Sequence, residues 1–140
     1  QTMRPLPGTS KPEGTAIPFC HGKTFQVAGI NVLPFALPHG RMTVTGFRIG
    51  NLAYITDAKS IPDDVMTAIA GVKVLVVNAL FRTAHPTHLS IPDAIRVAER
   101  VGAERTYLTH LTHENFHADL ETELPRGISP AFDGLTVRID

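Results

Sequence analysis

The run Val72–Asn78, apolar almost throughout and set between two helix starts, leaves few folds open to this chain. Side chains alternate faces along a strand, so a strand apolar on both faces must be covered on both, as in a parallel or mixed sheet. The same tetrapeptide stands on either side of it: Ser60-Ile61-Pro62-Asp63 and Ser90-Ile91-Pro92-Asp93. Each reads as a serine cap, a proline in the first turn and an acid three residues after the cap. The first predicts a helix to about Ala70 stopped by Gly71, the second a helix to Val101 stopped by Gly102. Nothing around the two tetrapeptides matches, so they are shared capping chemistry and not a repeat. Thr106–Thr109 reads as the next buried strand, Glu114–Glu123 as a helix ending before Pro125, and Leu135–Ile139 as a last strand after the Asp133-Gly134 turn.

Upstream the pattern is antiparallel. Thr24–Ala28 and Ile30–Leu37 flank a turn at Gly29-Ile30-Asn31, and Thr43–Ile49 and Leu52–Thr56 flank Gly50-Asn51. The expected class is α/β: a β-meander followed by β-α-β-α-β. Residues 1–18 carry Pro5, Pro7, Pro12 and Pro18 with Gly8 and Gly14, which predicts irregular or extended chain. Residues 1–22 are therefore read as a Pro/Gly-rich linker and 23–140 as the folded domain.

Thirteen basic residues balance thirteen acidic ones, so there is no broad positive surface for nucleic acid or anionic lipid. A small phosphorylated substrate needs only a local site and stays open. The single cysteine, Cys20, excludes an intramolecular disulfide and a cysteine-rich zinc module, and it reads as a buried structural thiol. No apolar run reaches membrane-spanning length and the start has no signal-peptide pattern, which predicts a cytoplasmic protein. There is no nucleophile elbow, phosphate-binding glycine loop or dinucleotide fingerprint.

Seven histidines are many for this length, and five lie between His85 and His117. Leu37-Pro38-His39-Gly40, Tyr54-Ile55-Thr56-Asp57 and Tyr107-Leu108-Thr109-His110 each bring a metal-binding side chain to the end of an expected strand. One carboxylate and two imidazoles on strand ends would suit a hydrolytic metal centre, provided the fold brings those ends together. A lone aspartate at a strand end more commonly caps a turn, and His39 alone could be a turn histidine. In Ala84-His85-Pro86-Thr87-His88, just before a helix N-terminus, a histidine could donate to a phosphate oxygen or protonate a leaving group. His113 and His117, four apart, could share a helix face and even bind metal; His21 reads as structural.

Taken in order, Leu37–Gly40, Gly46–Asp57, Val74–Leu80, His85–His88, Tyr107–His113 and Ala131–Leu135 resemble the C-terminal half of a metallo-β-lactamase-fold hydrolase. The branch they resemble is the phosphoribosyl cyclic phosphate phosphodiesterases. The resemblance implies an αββα sandwich and two divalent ions, manganese or zinc. It implies His39, Asp57 and His110 as metal ligands, with His113 and Asp133 supporting them from behind. His88 would face the substrate. The implied activity is hydrolysis of a small, cyclic ribose phosphodiester by a dinuclear metal-bound hydroxide. A transfer-RNA 3′-end endonuclease, a thioester hydrolase or a non-catalytic interaction half-domain are the alternatives. The family's His-x-His-x-Asp-His motif is not found in these residues. This chain would then be a fragment, inactive alone, completed by an N-terminal half or a companion chain, with a homo-oligomer expected. The sheet face meeting that half should be apolar, with Val32, Phe35, Val44, Phe47 and Ile55 as candidates.

Overall fold

The structure, a computed structural model, describes residues 14–139; most of the expected linker, residues 1–13, lies outside them. A single mixed sheet carries the strands β1 (Phe25–Val27), β2 (Ile30–His39), β3 (Met42–Ile49), β4 (Leu52–Ile55), β5 (Val74–Asn78), β6 (Arg105–Thr109) and β7 (Ile128–Pro130), side by side in chain order. The helices are α1 (Asp63–Ile69), α2 (Ile91–Val101) and α3 (His117–Glu123). Strands β1 to β4 pair antiparallel and β4 to β7 pair parallel. The expected meander and the β-α-β-α-β continuation are both present. Among the described residues no helix is long and apolar enough to cross a membrane.

Turn chemistry sets the antiparallel register. Val27 pairs with Ile30, so the first hairpin turns on Ala28 and Gly29, with φ of 48° and 81°. Two consecutive left-handed residues match the twist of the flanking strands. The turn therefore sits one residue earlier than expected, and Ile30 belongs to the strand.

The core fills one face of the sheet. Phe35, Leu37, Ala53, Ile55, Leu75, Val77 and Leu108 pack there with Val65 and Ile69 of α1 and Ala94, Val97, Ala98 and Val101 of α2. Gly46, opposite Phe35 in the β2–β3 register, lets that ring lie flat on the strand. Val32 and Phe47 belong to the opposite face, since they fall on the other parity from Phe35, Val44 and Ile55. The five residues expected to form one docking face are thus divided between two. On the second face Phe19 stacks on Phe25 and meets Phe47 edge-on, with ring centroids 5.5 and 6.1 Å apart. His21 Nε2 lies 2.9 Å from Thr45 Oγ1 in the same strap. Cys20 is exposed there, not buried as expected, because the strap lies on the surface of the sheet.

Three other elements depart from expectation. Helix α1 begins after Pro62 with no side-chain cap, whereas α2 has the full reciprocal box between Ser90 and Asp93 and a left-handed Gly102 at its end. Helix α3 starts at His117, three residues late. Leu135–Ile139 is not a strand. The free edge of β6 is taken instead by Ile128–Pro130, and the tail returns to bring the Arg138 carbonyl to the Arg105 guanidinium.

Candidate metal centre

Strands β2, β4, β5 and β6 all run the same way, because β3 reverses between β2 and β4 and the remaining pairs are parallel. Their C-terminal ends therefore share one edge of the sheet. His39 is the last residue of β2, Asp57 lies two residues past β4, and His110 directly follows β6. The loop after β5 carries His85 and His88 to the same edge. Backbone bonds hold that loop down: Leu89 donates to the Ala58 carbonyl at 2.8 Å, Leu80 to Leu89 at 3.0 Å and Ile91 to Phe81 at 2.8 Å.

At this edge Asp57 Oδ1 lies 3.5 Å from His88 Nε2 and 3.4 Å from His110 Nε2, and the two imidazole nitrogens are 3.2 Å apart. One ligand atom from each of the three falls within 4.8 Å of the others. His39 stands outside this trio but against it, its ring 4.6 Å from that of His88 at a near-perpendicular angle. The structure thus brings His39, Asp57, His88 and His110 together. His113 and Asp133 are exposed and, among the described residues, hydrogen-bond to none of the four.

Burial pushes the Asp57 carboxyl up, but the Thr56 side chain, the His110 charge and the bond from His88 outweigh it and hold the group below its usual range. The His88 imidazole is pushed down by burial and by its neighbours His39 and His110, against the pull of Asp57. One carboxylate and two imidazoles thus offer ligand atoms within reach of one another, a donor set that suits a divalent cation. Among the described residues His110 is also one of two non-glycine residues with positive φ, at 58°, a conformation that L-residues adopt at a cost.

Two supporting residues went unseen in the sequence. Asn78 is fully buried and holds the backbone of Ala58, next to Asp57. An amide closing a buried apolar run must find partners, so its position was a usable signal. Thr87 touches three histidines and had no signal beyond lying among them. The helix terminus near His88 does not offer the open anion site expected, since the Asp93 carboxylate already occupies it.

Residues 4–111 match the family described as the Beta-lactamase superfamily domain. A crystal structure of a diphosphatase from the PhnP family is 36% identical, with a TM-score of 0.80, over 83% of this chain and 46% of that one. Human short-form tRNase Z is 19% identical with a TM-score of 0.65 over 83% of this chain and 44% of that one, which shows the shared fold alone. An octanoyltransferase of Porphyromonas gingivalis (strain ATCC BAA-308 / W83) is 35% identical over 97% of this chain, which spans 28% of that protein. The chain therefore spans less than half the length of these relatives. With four ligand-type side chains on one sheet edge and a family match across most of its length, the chain belongs to the Beta-lactamase superfamily domain family and has the metallo-β-lactamase fold.

Proposed function

We propose that this chain contributes part of a metal-dependent phosphodiesterase site acting on a small phosphodiester, of which a cyclic ribose phosphodiester is the favoured class. The observation that carries the reading is the meeting of Asp57, His88 and His110 within 3.2–3.5 Å at the shared strand edge. The 36% identity to a PhnP-family diphosphatase supports phosphoryl chemistry over acyl chemistry. The octanoyltransferase name belongs to a protein of which this region is a minor part.

His39, Asp57 and His110 would hold divalent ions, manganese or zinc, with further ligands supplied from outside this chain by the rest of the protein or a companion. The ions, when bound, supply Lewis-acid neutralisation of phosphoryl oxygens. Asp57 stays ionised through the neutral range and can bind through both carboxylate oxygens. His88 lines the buried wall of the cluster with Nε2 turned inward, where it can donate to a phosphoryl oxygen or pass a proton to the leaving oxygen. His113 and Asp133 would act only after the rest of the site has closed over them.

The test is an assay of the whole protein containing this chain against bis-p-nitrophenyl phosphate, a cyclic ribose phosphodiester and an acyl thioester. Assays are run with manganese or zinc and again after chelation. Metal-dependent turnover of the phosphodiesters, abolished by Asp57→Asn, is expected. Turnover of the thioester alone would overturn the reading.

A further inference from the structure

His110 leaves the end of β6 with φ at 58°, a backbone that an L-residue keeps only when its surroundings over-determine it. The surroundings are supplied by one dipeptide at the end of β5. Ala79 N–H donates to the Thr109 carbonyl at 2.9 Å, just before His110. Thr112 N–H donates to the Leu80 carbonyl at 3.2 Å, just after it. Leu80 also reaches the other way, its N–H donating to the Leu89 carbonyl at 3.0 Å, beside His88.

A side chain completes this bracket. Asn115 Nδ2 lies 3.2 Å from the Leu80 carbonyl and 3.0 Å from Thr112 Oγ1. A carbonyl oxygen only accepts, so the atom facing it must be the amide nitrogen, whose two N–H groups are then both used. Asn115 N–H closes the turn by donating to the Thr112 carbonyl at 3.0 Å. The Leu80 carbonyl thus receives two donors from the chain that follows His110. The backbone bond by itself would hold Thr112 in a segment whose next residues, His113 and Glu114, are exposed. Such solvent-facing turns open at little cost unless they are tied down.

We infer that Asn115 is a positioning residue that holds His110 in its left-handed conformation and fixes its loop to the one carrying His88. It acts through the Leu80 peptide, which is bonded to Leu89 on one side and to the Thr112–Asn115 turn on the other. Where the His110 ring can point depends on the backbone that carries it, so loosening the turn spreads the ring over more orientations. Only the metal-affinity arm of the test rests on the proposed function; the conformation of His110 stands on the contacts around Leu80.

The experiment compares the whole protein containing this chain with Asn115→Ala, which removes the amide, and Asn115→Asp, which keeps its size but loses the donors. Backbone amide spectra establish that each variant is folded. Without metal, the Overhauser contact between the His110 N–H and its own Hα, strong when φ is positive, reads the left-handed state. We expect it strong in the parent and weakened in both variants. The Thr112 amide should exchange with solvent roughly fivefold faster or more, as for one lost hydrogen bond, while Val76 and Val77 exchange as before. Zinc affinity by calorimetry should fall on the order of tenfold in both variants, as for other residues that orient a metal-facing histidine. An unchanged His110 signature in Asn115→Ala, or an aspartate variant that behaves like the parent, would overturn the inference. So would faster exchange across β5 and β6 alike, the mark of a general packing role, or parent-like zinc affinity once the signature is lost. The expected change at His110 in a protein that binds no zinc would uphold it and defeat only the proposed function.

Discussion

The side-chain amide of Asn78 grips the backbone of Ala58 from both sides, accepting its N–H at 2.8 Å and donating to its carbonyl at 3.0 Å. Both residues are fully buried. This bidentate contact joins the end of β5 to the residue after Asp57, so the carboxylate inherits its position from the sheet. Asn78→Ala would leave a buried donor and a buried acceptor without that partner, at about 2–4 kcal/mol. Urea denaturation should show that loss, together with weaker metal binding. A variant as stable as the parent would mean that water replaces the amide.

Asp57 and His88 should separate on metal content. Asp57→Asn removes the charge of the cluster and is expected to lose most bound metal. His88→Ala should keep near-normal metal stoichiometry while turnover falls about 10²-fold or more, the range for a lost proton donor. Elemental analysis of each variant decides the matter, and metal lost in step with His88 would reassign it as a ligand.

Gly46 is a packing glycine. A methyl there would overlap Phe35 Cε2 and come within 2.9 Å of Leu37 Cδ1. Gly46→Ala should destabilise by about 1–3 kcal/mol. Shortening the facing ring in Gly46→Ala/Phe35→Leu should recover part of that, measured as a double-mutant cycle in thermal unfolding. Additive losses would remove the steric explanation.

The Asp93 carboxyl also titrates below its usual range: burial pushes it up, but the side-chain and backbone bonds from Ser90 and the nearby Arg96 pull it down further. A carboxylate whose folded pKa is depressed contributes stability that is present above its unfolded pKa and disappears as pH falls through the folded value. The stability gap between the parent and Asp93→Ala should therefore be full at neutral pH and narrow through the acid range. A gap independent of pH would show that the helix cap acts without the charge.

The sequence read best where local chemistry decides the outcome. Ser90 and Asp93 form the box their spacing implies, and Gly50-Asn51 closes the β3–β4 hairpin as expected. The identical tetrapeptide at Ser60 fails because context intervenes: the extended chain before it is pinned by Lys59 donating to the Pro38 carbonyl. Helix α1 can then begin only after Pro62. Strand β7 was missed because Ile-Ser-Pro has no strand signal of its own and exists by pairing with β6. At the site, His39, Asp57 and His110 were visible as strand ends, since strand direction alone gathers them. The Thr87 contacts join residues as far as 48 apart, and no local pattern carries that.

A left-handed backbone at His110 has a consequence for how such a site endures. Glycine would relieve the conformational cost at that residue, and asparagine would tolerate it better than histidine does. On the proposed metal role, histidine at a position the backbone would rather give to glycine is kept for its imidazole, and glycine or asparagine there would be expected in a relative that folds without holding an ion.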